Sequence, residues 1–206
     1  MATNYVSVAI AFHHGGARSA RIARAVHAGA SDVADVEAVL VRVEDIGEAD
    51  WVRLDSAHAI IFGSPTYMGT ASAAFHDFAQ ASGARWAAQT WRDKIAGGFT
   101  LSGSSAGDKS STLGYFATLA AQHGMIWVNL GLPDCWNPSI GEGYGLNRLG
   151  YYNGAAAQTA GEKPDDVHPS DLGTAEHLGR RVAEYARLVA AGRASLTAAA
   201  ATGARR

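Results

Sequence analysis

Residues 5–12 read YVSVAIAF, and similar apolar runs recur at 36–43 (VEAVLVRV), 59–63 (AIIFG), 94–101 (KIAGGFTL) and 125–130 (MIWVNL). Such runs lack the alternation of a strand with one wet face and belong to strands buried on both sides. Between them the apolar residues fall at helical spacing, which predicts helices over 19–30, 54–57, 70–82 and 111–122, and a closing helix over 171–191. Five strands alternating with helices leave few solutions: a parallel sheet with right-handed crossovers and helices on both faces. The fold class is therefore doubly wound α/β. In such folds ligands bind outside the carboxyl ends of the strands, near the point where strand order reverses.

Length and charge narrow the function. The 206 residues suit one domain, read here as residues 1–191, with the Ala-rich stretch 192–206 as a disordered tail. A formal charge of −2 excludes a chain-wide attraction to nucleic acid or anionic membrane. No apolar run is long enough to cross a bilayer and no basic-then-apolar leader opens the chain, so no membrane insertion is expected. The single Cys135 allows no internal disulfide, which fits a reducing, cytoplasmic setting. His58, His76, His168 and His177 show no metal-ligand spacing, and no metal is expected.

Glycine is in excess, at 24 residues. Many of them stand in loops that follow the first, third and fourth predicted strands. The loop His13-His14-Gly15-Gly16-Ala17-Arg18 runs straight into a helix at Ser19, a candidate N-cap. Exposed amides and the helix dipole make such a place an anion site. Neither G-x-x-x-x-G-K-[ST] nor G-x-G-x-x-G is present, which disfavours a nucleoside triphosphatase or a dinucleotide-binding Rossmann site. The second loop, Ser64-Pro65-Thr66-Tyr67-Met68-Gly69, offers hydroxyls and an aromatic ring on a stiff turn. The third, 102–108 (SGSSAGD), offers backbone amides with little bulk. The stretch 131–154 is long, aromatic and Gly-rich, as lids and interfaces often are.

Taken together, the loop after strand one, the G-S-P-T-Y-M-G segment, F-T-L-S-G-S and A-Q-H-G-M resemble the flavodoxin-like NAD(P)H:quinone oxidoreductases of the WrbA type. The resemblance covers roughly residues 5–190. It implies a five-stranded flavodoxin-like sheet of order 2-1-3-4-5 and FMN as cofactor. It also implies NADH or NADPH as co-substrate, a quinone as acceptor, and a homo-oligomer, usually a tetramer. By position, His14, Gly15, Gly16, Ala17, Arg18 and Ser19 would hold the FMN phosphate. Pro65, Thr66, Tyr67 and Met68 would line the ring and ribityl chain, and Ser102, Gly103, Ser104 and Gly107 would bond its polar edge. His123 would sit at the pyrimidine end as the catalytic residue, stabilising the reduced flavin, and Trp86 would wall the substrate pocket.

Two positions depart from the family pattern. His14 replaces a Ser or Thr hydroxyl, and Ala17 replaces a glycine, where a positive φ would penalise a Cβ. Two other readings therefore stand beside the reductase: a flavodoxin-like electron carrier, and a flavin-poor member acting as a binding or assembly protein.

Overall fold

The structure is a computed structural model that describes residues 5–136, 145–159 and 166–203. Strands β1 (Val6–Phe12), β2 (Val36–Arg42), β3 (Ala59–Tyr67), β5 (Ile95–Ser102) and the short β6 (Ile126–Trp127) form a sheet ordered β2-β1-β3-β5-β6, all parallel. The fold is flavodoxin-like, with the four leading positions in the expected order.

The fifth position is split. Strand β6 (Ile126–Trp127) pairs with the start of β5, and β7 (Ala155–Gln158) pairs in parallel with its end. The expected single strand over 125–130 is confined to Ile126–Trp127: Val128 N–H still reaches Ala96 O at 2.7 Å, but Leu130 N–H goes to Tyr152 O at 3.0 Å instead of to β5. The chain leaves the sheet there and returns twenty-odd residues later beside the same neighbour. A seventh strand, β4 (Thr70–Ala71), folds back antiparallel on Thr66–Tyr67.

Alternate side chains of β1 enter different cores. Val8, Ile10 and Phe12 join α1 (Ala17–Ser31) and α6 (Pro169–Gly203) on one face. Ala9 and Ala11 meet Trp51 of α2 (Glu48–Ser56) and Phe75 and Phe78 of α3 (Ala73–Ala81) on the other. Phe116 of α5 (Lys109–Gln122) completes that second core, while the short α4 (Gly83–Ala87) flanks it. Both faces are covered, as the unbroken apolar runs require.

Helix boundaries shift for local reasons. Helix α2 starts at Glu48 because Asp50 accepts the Gly47 N–H at 3.2 Å. Helix α3 starts only at Ala73, since Thr70 and Ala71 are in β4 and Ser72 caps the helix by accepting from Phe75 N–H. Helix α6 continues through 192–203, where the sequence suggests a disordered tail; alanine's helix propensity, the highest of any residue, carries it on.

Helices α1 and α6 touch backbone to backbone. A Cβ on Gly179 would lie 1.9 Å from Val26 O, and one on Gly29 1.9 Å from Glu176 O. Gly179→Ala should therefore force the helices apart and destabilise the fold by about 1–3 kcal/mol, the usual range for overpacking. Gly114→Ala, facing open space in α5, should instead stabilise by up to about 1 kcal/mol. Denaturant midpoints of the two variants should move in opposite directions.

Candidate active site

The loops that follow β1, β3 and β5 meet at the carboxyl edge of the sheet around a cleft of about 470 Å³. Gly15, Gly16, Ala17, Arg18 and Ser19 line one side; Pro65, Thr66 and Tyr67 another; Leu101, Ser102 and Gly103 a third. Ten of the residues picked from the sequence thus come together on one cleft. Thr159, at the end of β7, also lines it and gives its N–H to Ser102 O at 3.0 Å. Sequence reasoning missed Thr159 because nothing local reveals that the chain re-enters the sheet there.

The first loop turns on glycine. Gly15 (φ 51°) and Gly16 (φ 118°) take conformations that L side chains rarely adopt, and a Cβ on Gly15 would lie 3.1 Å from both Pro65 Cγ and Ser19 Oγ. Gly16 is the N-cap of α1 and supplies no side chain to cap it. The first-turn amides, which no helical carbonyl can satisfy, therefore face the cleft with the positive end of the dipole. Ala17 is the first helical residue, so the glycine expected there is not required. Ser19 is not the cap; it lies inside the first turn, 2% exposed. His14 does not line the cleft. Its N–H is held by the Glu44 carboxylate at 3.2 and 3.3 Å, and Arg42 bonds the same carboxylate at 3.1 Å. Partial burial pushes the Glu44 pKa up, but hydrogen bonds from its own and His14's N–H and from Arg42 outweigh it and hold it below the usual range.

A buried hydroxyl network fixes the second loop. Thr66 Oγ1 lies 2.8 Å from both Thr100 Oγ1 and Thr112 Oγ1, and Thr100 donates to Ser64 O at 2.7 Å. Ser64 Oγ accepts the Ser72 N–H at 2.9 Å. This network ties β3, β5, α5 and the α3 cap into one unit. Beyond it the β3–β4 hairpin turns on Met68 (φ 49°) and Gly69 (φ 83°), a pair of left-handed residues that suits Asn-Gly better than Met-Gly. Tyr67 projects half-exposed, and Met68 stands wholly in solvent outside the cleft wall.

Beneath the third loop lies Lys109, the first residue of α5 and completely buried. Its Nζ donates to Ser102 Oγ at 2.8 Å, Ser104 O at 2.7 Å and Ser105 O at 3.0 Å. Burial lowers its pKa to about 8, with Asp171 opposing that shift and Arg148 adding to it. Ser104 and Gly107 shape this loop without lining the cleft: Ser104 accepts from Lys109, and Gly107 makes the turn at φ 52°. A charged residue beside S-S-A-G-D reads in sequence as a solvated helix start, so the burial of Lys109 is not legible there.

His123 and Trp86 fall elsewhere. Helix α5 carries the chain away from the cleft, its 14 residues spanning about 20 Å. His123 closes its far end, 2% exposed, with Nε2 2.9 Å from Ser82 Oγ and its ring 4.4 Å from that of Trp91. Burial holds its pKa below the ordinary imidazole value. The role expected of it at the flavin is therefore not available within this chain. Trp86 lies half-exposed on α4 and does not line the cleft. A larger cavity of about 720 Å³ occupies the opposite edge of the sheet. There Arg187 lies 3.7 Å from Asp35 and Arg193 donates to Asp93 O, so its polar groups are partly engaged with each other. Among the described residues no cluster of side chains could hold a metal ion. Among the same residues no helix is long and apolar enough to cross a membrane. Cys135 is buried, its thiol directed at Gly145 O, and Glu142 and Tyr144 lie outside the described residues.

Comparisons with known proteins converge on one group. The family of NADPH-dependent FMN reductases matches residues 9–132. The chain is 39% identical over 178 residues to flavodoxin FldP of Pseudomonas aeruginosa, covering 84% of this chain and 93% of that one. It is 31% identical over 187 residues to an NAD(P)H dehydrogenase (quinone) of Geobacter sulfurreducens, covering 81% and 90%. Among solved structures, a WrbA-like flavodoxin from Agrobacterium tumefaciens superposes with a TM-score of 0.70 at 36% identity, covering 89% of this chain and 98% of that one.

Met68→Asn should relieve the left-handed turn and raise stability by roughly 0.5–1 kcal/mol in denaturant unfolding. Lys109 predicts a pH signature. Its folded pKa, about 8, lies below the unfolded value of roughly 10.4. Between these two the unfolded chain binds the extra proton, so stability should rise with pH across that window. Lys109→Met should remove this rise, measured as ΔG of unfolding against pH.

Proposed function

Because the chain belongs to the NADPH-dependent FMN reductase family, in its flavodoxin-like, WrbA-type branch, we propose that it is an FMN-dependent oxidoreductase passing two electrons from NADH or NADPH to a quinone. The observation that carries this reading is the uncapped N-terminus of α1 behind Gly15 and Gly16, opening on a cleft walled by the other two loops.

The residues present fit FMN. The Gly15–Gly16 turn admits a phosphate against backbone, and a Cβ at Gly15 would crowd Pro65 and Ser19. His13 Nδ1 is buried with no hydrogen-bond partner among the described residues, a polar atom at the base of the same loop. A Cβ added at Gly103 would meet nothing within 4 Å, so there is room for a flat ring against its backbone. FMN, when bound, supplies the chemistry of accepting a hydride from a nicotinamide and delivering two electrons onward.

The chain's own residues do the rest. The first-turn amides of α1, Ser19 Oγ and the helix dipole would neutralise the phosphate without a lysine. Pro65 and Thr66, pinned by the buried hydroxyls, would fix the ring's position, and Tyr67 would cover it. Ser102 and Gly103 would bond its polar edge, with Thr159 holding Ser102 from behind. Binding that pre-positions both reactants is the protein's contribution to rate. Trp86, remote from this chain's cleft, would wall a pocket only across a subunit boundary in a homo-oligomer.

A second reading, a one-electron carrier, is favoured by the relative named flavodoxin FldP. The formal charge of −2 supplies little of the acidic face that carriers use to dock.

Purified protein reconstituted with FMN should show bound-flavin absorption and then consume NADH or NADPH with benzoquinone. No flavin peaks after reconstitution would sink both readings, and bound flavin without nicotinamide consumption would favour the carrier. Ser19→Ala should weaken FMN binding about tenfold, the worth of one hydrogen bond to a charged group, ~1.5 kcal/mol. His14→Ala should leave it nearly unchanged, because His14 does not line the cleft.

A further inference from the structure

The charge behind the cleft wall is unusual. Lys109 is fully buried, and no carboxylate forms an ion pair with it among the described residues. Its three acceptors, Ser102 Oγ, Ser104 O and Ser105 O, match the three hydrogens of an ammonium. A neutral amine has only two N–H groups, enough for Ser104 O and Ser105 O, and Ser102 would then have to turn its hydroxyl hydrogen from Ser104 O onto Nζ. Because Ser102 Oγ accepts from Nζ, its own hydrogen is left for Ser104 O, 3.2 Å away. The nearest point of the cleft wall is thus one hydroxyl from a buried positive charge.

The surrounding charges do not cancel it. Asp171, on α6, is held by Arg148 through two bonds of 2.8 and 2.9 Å, and it also accepts the Gln158 N–H at 2.9 Å. Lys109, Arg148 and Asp171 together leave one net positive charge, with Lys109 and Asp171 buried and Arg148 partly exposed; burial weakens solvent screening of the Lys109 charge. The Tyr151 ring sits 5.6 Å from Nζ and its hydroxyl donates to Ala106 O. Asp108, the remaining acid beside this site, is exposed at the helix cap and screened by solvent. The N-terminus of α5 adds its own positive dipole end at the same place.

We propose that Lys109 is a positioning residue that both shapes loop 102–105 and biases the cleft towards the reduced, more negatively charged form of its bound cofactor. The inference rests on FMN binding in this cleft. It gives Lys109 the electrostatic role that the resemblance attached to His123, acting through Ser102 and the loop rather than by contact with the cofactor.

The test is the affinity of each variant for oxidised FMN together with the two-electron midpoint potential of the bound flavin, in the wild type, Lys109→Arg, Lys109→Gln and Lys109→Met. A scaffold role alone would weaken both redox forms equally and leave the potential in place. The expected result is that Lys109→Met loses about tenfold more affinity for reduced than for oxidised FMN, a fall of about 30 mV for a two-electron couple. Lys109→Gln should behave similarly and Lys109→Arg should restore most of the difference. The gap between wild type and Lys109→Met should also close as pH rises past about 8, where the ammonium is lost. If Lys109→Met does not fold, the Gln variant and the wild-type pH dependence carry the same comparison. An unchanged potential in variants that still bind FMN would overturn this inference alone. A wild-type chain that binds no FMN would overturn the proposed function, and this inference with it.

Discussion

A parallel sheet covered on both faces constrains everything else in this molecule. Its strands must be apolar on both sides, its backbone groups are taken up in ladders, and its connections must cross over through helices. What remains open to a ligand is the edge where strands end and helices begin. There the chain changes direction in a few residues, and the amides of a helix N-terminus have no partners of their own. The Gly15–Gly16 turn, the hydroxyl-braced Ser64–Ser72 segment and loop 102–108 are three solutions to that one geometric demand, and the cleft is the space they enclose.

These loops are held from beneath rather than by their own contacts. Thr66, Thr100 and Thr112 join three elements through two short hydroxyl contacts. Lys109 gathers Ser102, Ser104 and Ser105 around one ammonium. Both arrangements bury polar groups that are individually costly to desolvate and become tolerable only when every partner is in place. The result is a cleft lined by backbone and small side chains yet rigidly placed, which suits recognition of a flat, phosphorylated group by shape and amide donors.

Most of the fold and much of the site can be read from the chain. Apolar runs without alternation announce buried parallel strands, and glycine-rich loops after strands one, three and four announce the cleft. The misreadings share a cause. Ala17 reads as a missing glycine, but the positive φ angles fall at Gly15 and Gly16. His14 reads as an imidazole donor to a phosphate, but it does not line the cleft, and its backbone N–H is turned to Glu44, thirty residues on. His123 reads as a flavin contact, but α5 carries it to the opposite edge. In each case the deciding geometry is set by residues or elements that the local pattern does not contain.

The sequence by itself determined the layered α/β architecture and the three loops that form the cleft, because hydrophobic periodicity and turn chemistry are local properties; the leading strand order followed only from the family resemblance. Only the tertiary structure decided that the fifth strand position is shared by β6 and β7, that Thr159 returns to the cleft, and that a lysine at a helix start is buried beneath its wall. Burial and charge depend on what other segments bring to the same place, and that is settled by packing rather than by spacing along the chain.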